Sequence, residues 1–260
     1  MKNIQFFFLL LFLISCDKKI EEKKVDNISK ENLSMNEQNK INCSNAEKKA
    51  IKDLKNNKLI YIKYLGMYGY LRSEKEFREI LTKYKIGFKI GEVESCLSHV
   101  SNGEFCYAQI MEKEIIKKHG IKFLDSIKNC ADKQFVINNP NQIFSIEECD
   151  EAKTYPNPKK SEDFWDIPSK EFNAKFTYPK NYVECKKEYD NIMDAKFILY
   201  KNGAIDSLKI ETEFTNPKNN EFKNYIEAKV KEYIEKKKWI PLKRFGITIN
   251  SEIKLTFDIK

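Results

Sequence analysis

The longest unbroken pattern in the chain is at its end. Ile249, Ser251, Ile253, Leu255, Phe257 and Ile259 alternate with their neighbours, the period-two signature of a strand with one buried face. Upstream, Asp194 to Lys201 is a β-rich run, Asn202-Gly203 reads as a two-residue type I′ hairpin turn, and Ala204 to Phe214 resumes with Leu208, Ile210, Thr212 and Phe214 on one face. Asn219-Asn220 then precede a helical stripe of Phe222, Tyr225, Ile226, Val230, Tyr233 and Ile234, backed by solvated Glu227, Lys229, Lys231, Glu232 and Lys236. Residues 169–260 are therefore expected to fold as hairpin, helix and strand: a three-stranded antiparallel sheet with a helix on one face.

Residues 43–150 read as a small α/β domain, which makes the whole chain α+β. Ala46, Ala50, Ile51 and Leu54 share a helical face, and Leu59 to Leu65 is a β-rich run. A capping box at Ser73 and Glu76 opens a helix carrying Phe77, Ile80, Leu81 and Tyr84, with a strand at Ile86 to Ile90 beyond it. Tyr107 to Lys118 predicts a helix ending near Gly120, and a further helix carries Phe123, Leu124, Ile127 and Cys130 before a strand at Phe135-Val136-Ile137. Three of the seven prolines fall between Thr154 and Pro168, so residues 151–168 are expected to be a linker or extended strap on which Phe164 and Trp165 could still pack.

The N-terminal end carries a different pattern. Lys2 is followed by an apolar run from Ile4 to Ile14, interrupted only by Gln5. Eleven residues are too few to cross a bilayer, which takes about 20, but they fit the apolar region of a secretory signal over residues 1–15. Leu13-Ile14-Ser15-Cys16 resembles the lipobox of bacterial lipoproteins. That resemblance implies cleavage before Cys16 and acylation of the cysteine. With about 0.8 kcal/mol per buried methylene, two or three chains would hold the protein on a lipid bilayer of the cell envelope. The outer membrane is favoured, with the protein facing the periplasm or the surface. The alternative is an ordinary cleaved signal with an unmodified Cys16. Residues 16–42 follow as a flexible tether, because positions 17–40 hold six Lys and six acidic residues with scarcely a large apolar side chain.

Composition removes other classes. Eighteen Phe, 13 Tyr and 2 Trp are too many for a wholly disordered chain, and 8 Gly with 7 Pro exclude a collagen-like one. The net charge of +8 becomes +7 without Lys2, and it is dispersed: residues 41–160 hold 21 positive and 16 negative groups, residues 161–260 hold 19 and 17. No basic stripe suited to nucleic acid results.

Export turns the cysteines other than Cys16 into disulfide candidates. Cys96 with Cys106, flanking a hairpin-like LSHVSNGEF loop, is the favoured pair. Cys43 with Cys130 and Cys149 with Cys185 complete one of the 15 arrangements that six cysteines allow. A metal site on Cys96, His99 and Cys106 is the alternative, although only one other histidine, His119, is present and no second Cys/His pair completes a tetrahedral set. His119 suits a cation at a helix C-terminus. The acidic groups Glu92/Glu94 and Glu147 to Glu151 have the character of solvated loop. No GxSxG, HExxH, phosphate-cradling loop or EF-hand run occurs, so a non-enzymatic protein without a cofactor is expected.

Tyr178-Pro179, then AKFILYKNGAIDSLKI, then KKWIPLKRFGITINSEIKLTFDI together resemble the C-terminal domain of the TonB energy-transducer family. Tyr178, Pro179, Phe197, Gly203, Trp239, Pro241, Gly246 and Phe257 match in order, over about a third of the chain. The resemblance implies that the last strand is a free edge to which an extended peptide of an outer-membrane or periplasmic protein adds, through Thr248, Ile249, Ser251, Ile253, Leu255 and Phe257. The chain departs from that family in having a lipobox and a short charged tether where a transducer has a membrane-spanning helix and a Pro-rich spacer. Binding is therefore expected, and proton-driven transduction is not. Two other readings stay open: a small-ligand protein or enzyme using residues 43–150, and a structural accessory whose last strand is covered.

Overall fold

The computed structural model describes residues 19–66, 69–91, 103–155, 166–184 and 191–259, with side chains from 37 onward. Two compact units divide it, Met1–Lys128 and Asn129–Lys260. Helices and strands are mixed throughout, as the α+β reading requires.

The first described element of the first unit is α1 (Lys19–Lys55), which runs through the stretch expected to be a flexible tether. No Gly or Pro interrupts residues 17–55, and Lys and Glu are good helix formers, so the polar composition that argues against a core does not argue against a helix. Strands β1 (Leu59–Tyr64) and β2 (Ile86–Gly91) pair in parallel, joined by α2 (Glu74–Lys83). Tyr61, Phe77 and Phe88 pack ring against ring, with Phe77 edge-on to Phe88 at 5.0 Å. Helix α3 (Glu104–His119) supplies buried Tyr107, Ala108, Met111 and Ile115.

A disulfide between Cys43 on α1 and Cys106 on α3 ties these helices across 63 residues. It replaces two of the three expected pairings, Cys96 with Cys106 and Cys43 with Cys130. Cys130 is a free, exposed thiol, and Cys96 lies outside the described residues. Helix packing decides the matter where loop spacing suggested otherwise. Gly103 has φ +67°, and a Cβ there would stand 2.5 Å from the Asn42 carbonyl oxygen, so only glycine lets the start of α3 approach α1. The Tyr107 hydroxyl then donates to the Asp53 carboxylate at 2.9 Å.

The unit boundary falls inside α4 (Phe123–Asn138), which continues through Phe135-Val136-Ile137, where a strand was expected. The strand comes later, as β3 (Ile143–Ser145), followed by a 3₁₀ turn (Ile146–Glu148) that carries a capping box of Ser145 and Glu148. Helix α5 (Asp166–Lys175), β4 (Asn191–Leu199) and β5 (Ile205–Phe214) lead to α6 (Lys223–Lys236). The small hairpin β6 (Lys243–Arg244) and β7 (Ile247–Thr248) precedes β8 (Asn250–Asp258).

The main sheet has the order β3-β8-β4-β5. Its β8-β4-β5 part is antiparallel, with α6 on one face: Ile226, Val230 and Ile234 meet Met193, Ala195, Phe197, Ile253, Leu255 and Phe257 in one core. The fourth strand, β3, joins β8 in parallel from the region assigned by sequence to the first domain. Thr154 and Tyr155 are buried, and so are Ile167 and Pro168, so the described parts of the expected linker are core-packed strap. Phe164 and Trp165 lie outside the described residues.

The turn chemistry is exchanged between two hairpins. At Lys201-Asn202-Gly203 only Gly203 has positive φ (+85°), and the Tyr200 N–H donates to the Ala204 carbonyl at 2.8 Å, which makes a three-residue loop with left-handed glycine in place of the expected type I′ turn. Phe245 (+51°) and Gly246 (+75°) both have positive φ, so the two-residue type I′ turn joins β6 and β7 instead.

Candidate partner-binding edge

The last strand is built as its alternation dictates: Ser251, Ile253, Leu255 and Phe257 are fully buried, and Glu252, Lys254 and Thr256 are exposed. Its edge, however, is largely closed. β8 pairs with β4 along Leu199 to Ile192 on one side and with β3 over Asn250 to Glu252 on the other. The Ile259 N–H donates to the Asn191 carbonyl, so the odd-numbered residues of β8 bond to β4 and the even-numbered ones face outward. At the far end α5 takes the outward groups of Asp258: its N–H donates to Ser169 Oγ at 3.0 Å, and its carbonyl accepts from Asn173 Nδ2 at 2.6 Å. Among the described residues, Lys254 and Thr256 are left. Thr248 belongs to β7, paired with Lys243, and Ile249 is buried against Val136 and Phe144. The expected free edge through Thr248, Ile249, Ser251, Ile253, Leu255 and Phe257 is thereby corrected.

The open edge is at the other end of the sheet. β4 takes up the peptide groups of Glu213, Glu211, Lys209 and Asp206, and those of Leu208, Ile210, Thr212 and Phe214 point outward. Among the described residues the one group on that edge is Lys223 Nζ, 3.3 Å from the Thr212 carbonyl oxygen. Leu208, Ile210, Thr212 and Phe214 are half-buried on the α6 side, where Thr212 Oγ1 donates to Glu227 at 2.6 Å. A bulge near Ser207 (φ +56°), together with Asp206, Lys209, Glu211 and Glu213 on the open face, supplies the devices that limit indiscriminate strand addition.

The motif positions build this fold. Trp239 is buried, packs with its ring tilted against Phe197 at 5.3 Å and donates its indole N–H to the Ile234 carbonyl at 3.0 Å. Gly203 and Gly246 hold the two positive-φ turns. Asp150 accepts from both amides of the second turn, Phe245 and Gly246, each at 2.7 Å, so one of the acidic loop residues serves as a turn clamp. Tyr178 donates to Asn173 at 2.7 Å, and Pro179 accepts from the Tyr182 N–H. Pro241 follows Trp239 between α6 and β6.

A polar cluster clamps α5 to α6. Glu171 accepts from Tyr155 at 2.5 Å and from Lys237, whose ammonium lies over the Tyr155 and Tyr233 rings at 4.8 and 5.1 Å. Partial burial opposes ionisation of Glu171, but the bonds from Lys237 and Tyr155 outweigh it and hold the carboxyl below its ordinary range. Burial, with the neighbouring carboxylate, pushes Tyr233 up to about 12 and Tyr155 higher still. Both phenols stay neutral at neutral pH.

In the first unit, the cleft lined by Tyr61, Lys63, Leu71, Phe77, Leu124, Asp125 and Lys128 has a volume of about 30 Å³, enough for a water or two and far below the size of an organic-ligand site. His119 ends α3 as the sequence suggests, stacked on Phe123 at 4.4 Å and edge-on to Tyr84. His99, Cys96, Cys185, Glu92, Glu94 and Cys16 lie outside the described residues. Cys149 is a free, half-buried thiol donating to the Ser145 carbonyl, and burial pushes it up to about 11. Among the described residues no group of three His, Cys, Asp or Glu is placed to hold a metal ion, and no helix is long and apolar enough to cross a membrane.

No protein-family model, curated protein or solved structure matches the chain.

Proposed function

We propose that this protein is an envelope lipoprotein, held on a lipid bilayer by acylated Cys16, whose C-terminal sheet is a non-enzymatic protein-binding module resembling the TonB C-terminal domain. The strand order β5-β4-β8 with α6 on one face, and the burial of Phe197, Trp239 and Phe257 between them, support the family resemblance. One observation carries the binding reading: among the described residues, β5 presents outward peptide groups from Leu208 to Phe214 with no strand beside them, whereas β8 keeps only Lys254 and Thr256 open. The surface for strand addition is thus β5, not the last strand. Closure of β8 by β3 favours a second reading, a purely structural accessory.

The test compares two prolines, each placed where the replaced N–H faces outward and the ladder survives. The lipidated full chain is used to capture proteins from solubilised envelopes. Loss of capture in Ile210→Pro with retention in Thr256→Pro supports the β5 edge. The reverse restores the last strand. Equal capture by both, or no capture by the wild type even of further copies of this chain, leaves the structural accessory. Metabolic labelling with a fatty acid that is lost in Cys16→Ser tests the anchor.

A further inference from the structure

We infer that the strand added to β5 is β5 of a second copy of this chain, antiparallel about a two-fold axis through Ile210; this rests on the reading of β5 as the binding edge and names its partner. The charges on the open face single out both partner and register. Lys209 lies opposite Lys196 across the β4–β5 ladder, and Glu211 lies opposite Asp194, so each faces a like charge within its own sheet. Lys196 is already paired with Glu252 at 3.0 Å and Asp194 with Lys254 at 2.9 Å. Neither Lys209 nor Glu211 has an opposite charge within ion-pairing distance among the described residues, and Glu211 exerts only a minor pull on Lys254. Among the described residues, neither has a partner on its outer side.

Antiparallel self-pairing matches outward residues with outward residues, so the two-fold must pass through a residue. Centred on Ile210, it sets Lys209 against Glu211 of the second copy, twice, with Leu208 against Thr212 and Ile210 against itself on the α6 face. Centred on Lys209 or Glu211, it opposes two identical charges at the axis; centred on Thr212, it opposes Glu211 to Glu213 twice. Centred on Leu208, it runs into the bulge at Ser207. One register satisfies the charges, and it joins two four-stranded sheets into one of eight. Lys223 must release the Thr212 carbonyl oxygen for the Leu208 N–H of the other copy.

The experiment weighs the full lipidated chain in density-matched detergent by sedimentation. Wild type should be dimeric. Lys209→Glu and Glu211→Lys should each raise the dissociation constant roughly tenfold, because each turns both opposite pairs into like pairs. The double swap should restore the dimer, and mixing the two single variants should give a heterodimer. Both residues are exposed, so folding is not at stake. A monomeric wild type, or equal mass for the wild type and all three variants, overturns the inference. If the wild type is monomeric while Ile210→Pro still abolishes capture of envelope proteins, the edge reading stands and only the self-partner falls.

Discussion

Lys209 faces Lys196 directly across the β4–β5 ladder, and Glu211 faces Asp194 in the same way two residues on. Like charges at directly opposed strand positions destabilise by roughly 0.2–1 kcal/mol. A protein with no use for its edge gains nothing from the arrangement. Lys209→Glu should therefore raise the thermal midpoint of the isolated protomer slightly while weakening association. Scanning calorimetry at low protein concentration checks the first effect, and a lowered midpoint would contradict it.

The Cys43–Cys106 bridge closes a 63-residue loop, for which chain entropy gives on the order of 4 kcal/mol. Reduction, or the double variant Cys43→Ala/Cys106→Ala, should lower the denaturant midpoint of the first unit strongly. Peptide mapping without reductant should recover residues 43 and 106 linked. A Cys96–Cys106 peptide in its place would contradict the helix packing described above.

Glu171 is held below its ordinary range by Lys237 and Tyr155, so its contribution is complete above the unfolded value near 4.5 and is lost as pH falls through the lower folded one. Tyr233, raised from 10 to about 12, works at the other limit: the fold loses stability as pH climbs through that window. Glu171→Gln should flatten the acid limb of a melting-temperature profile, and Tyr233→Phe should flatten part of the alkaline limb. Unchanged limbs would remove the clamp from the account.

The type I′ turn at Phe245-Gly246 depends on glycine and on Asp150. Gly246→Ala, at φ +75°, should cost about 1 kcal/mol. Asp150→Ala strips the acceptor from two backbone amides and should cost about 1–3 kcal/mol. Urea midpoints measure both, and a neutral Asp150→Ala would show that water replaces the carboxylate.

The hairpin, α6 and β8 are legible in the sequence because each buries one regular face: Leu208 to Phe214, Ile226 to Ile234 and Ile253 to Phe257 carry clean periods. The covered edge is not legible. β3 is three residues long, and what makes it a strand is burial of Phe144 against Val136 and Ile249, a contact more than 100 residues away along the chain. Sequence also placed Phe135-Val136-Ile137 in a strand on β-propensity alone, where they continue α4. Asn202-Gly203 met the type I′ composition rule, yet the Asn202 side chain accepts the Ala204 N–H and settles a longer loop. Cysteine spacing could not find Cys43–Cys106, because the partners meet through helix packing.

Residue-resolved amide hydrogen exchange on dilute protein tests most directly which edge is open. The amides of Leu208, Ile210 and Thr212 should exchange fast, while Lys209, Glu211 and Glu213, bonded to β4, and Glu252 and Asp258, covered by β3 and α5, should be protected. Protection at Leu208, Ile210 and Thr212 in the dilute protein, with Glu252 and Asp258 exchanging freely, would contradict an open β5 edge.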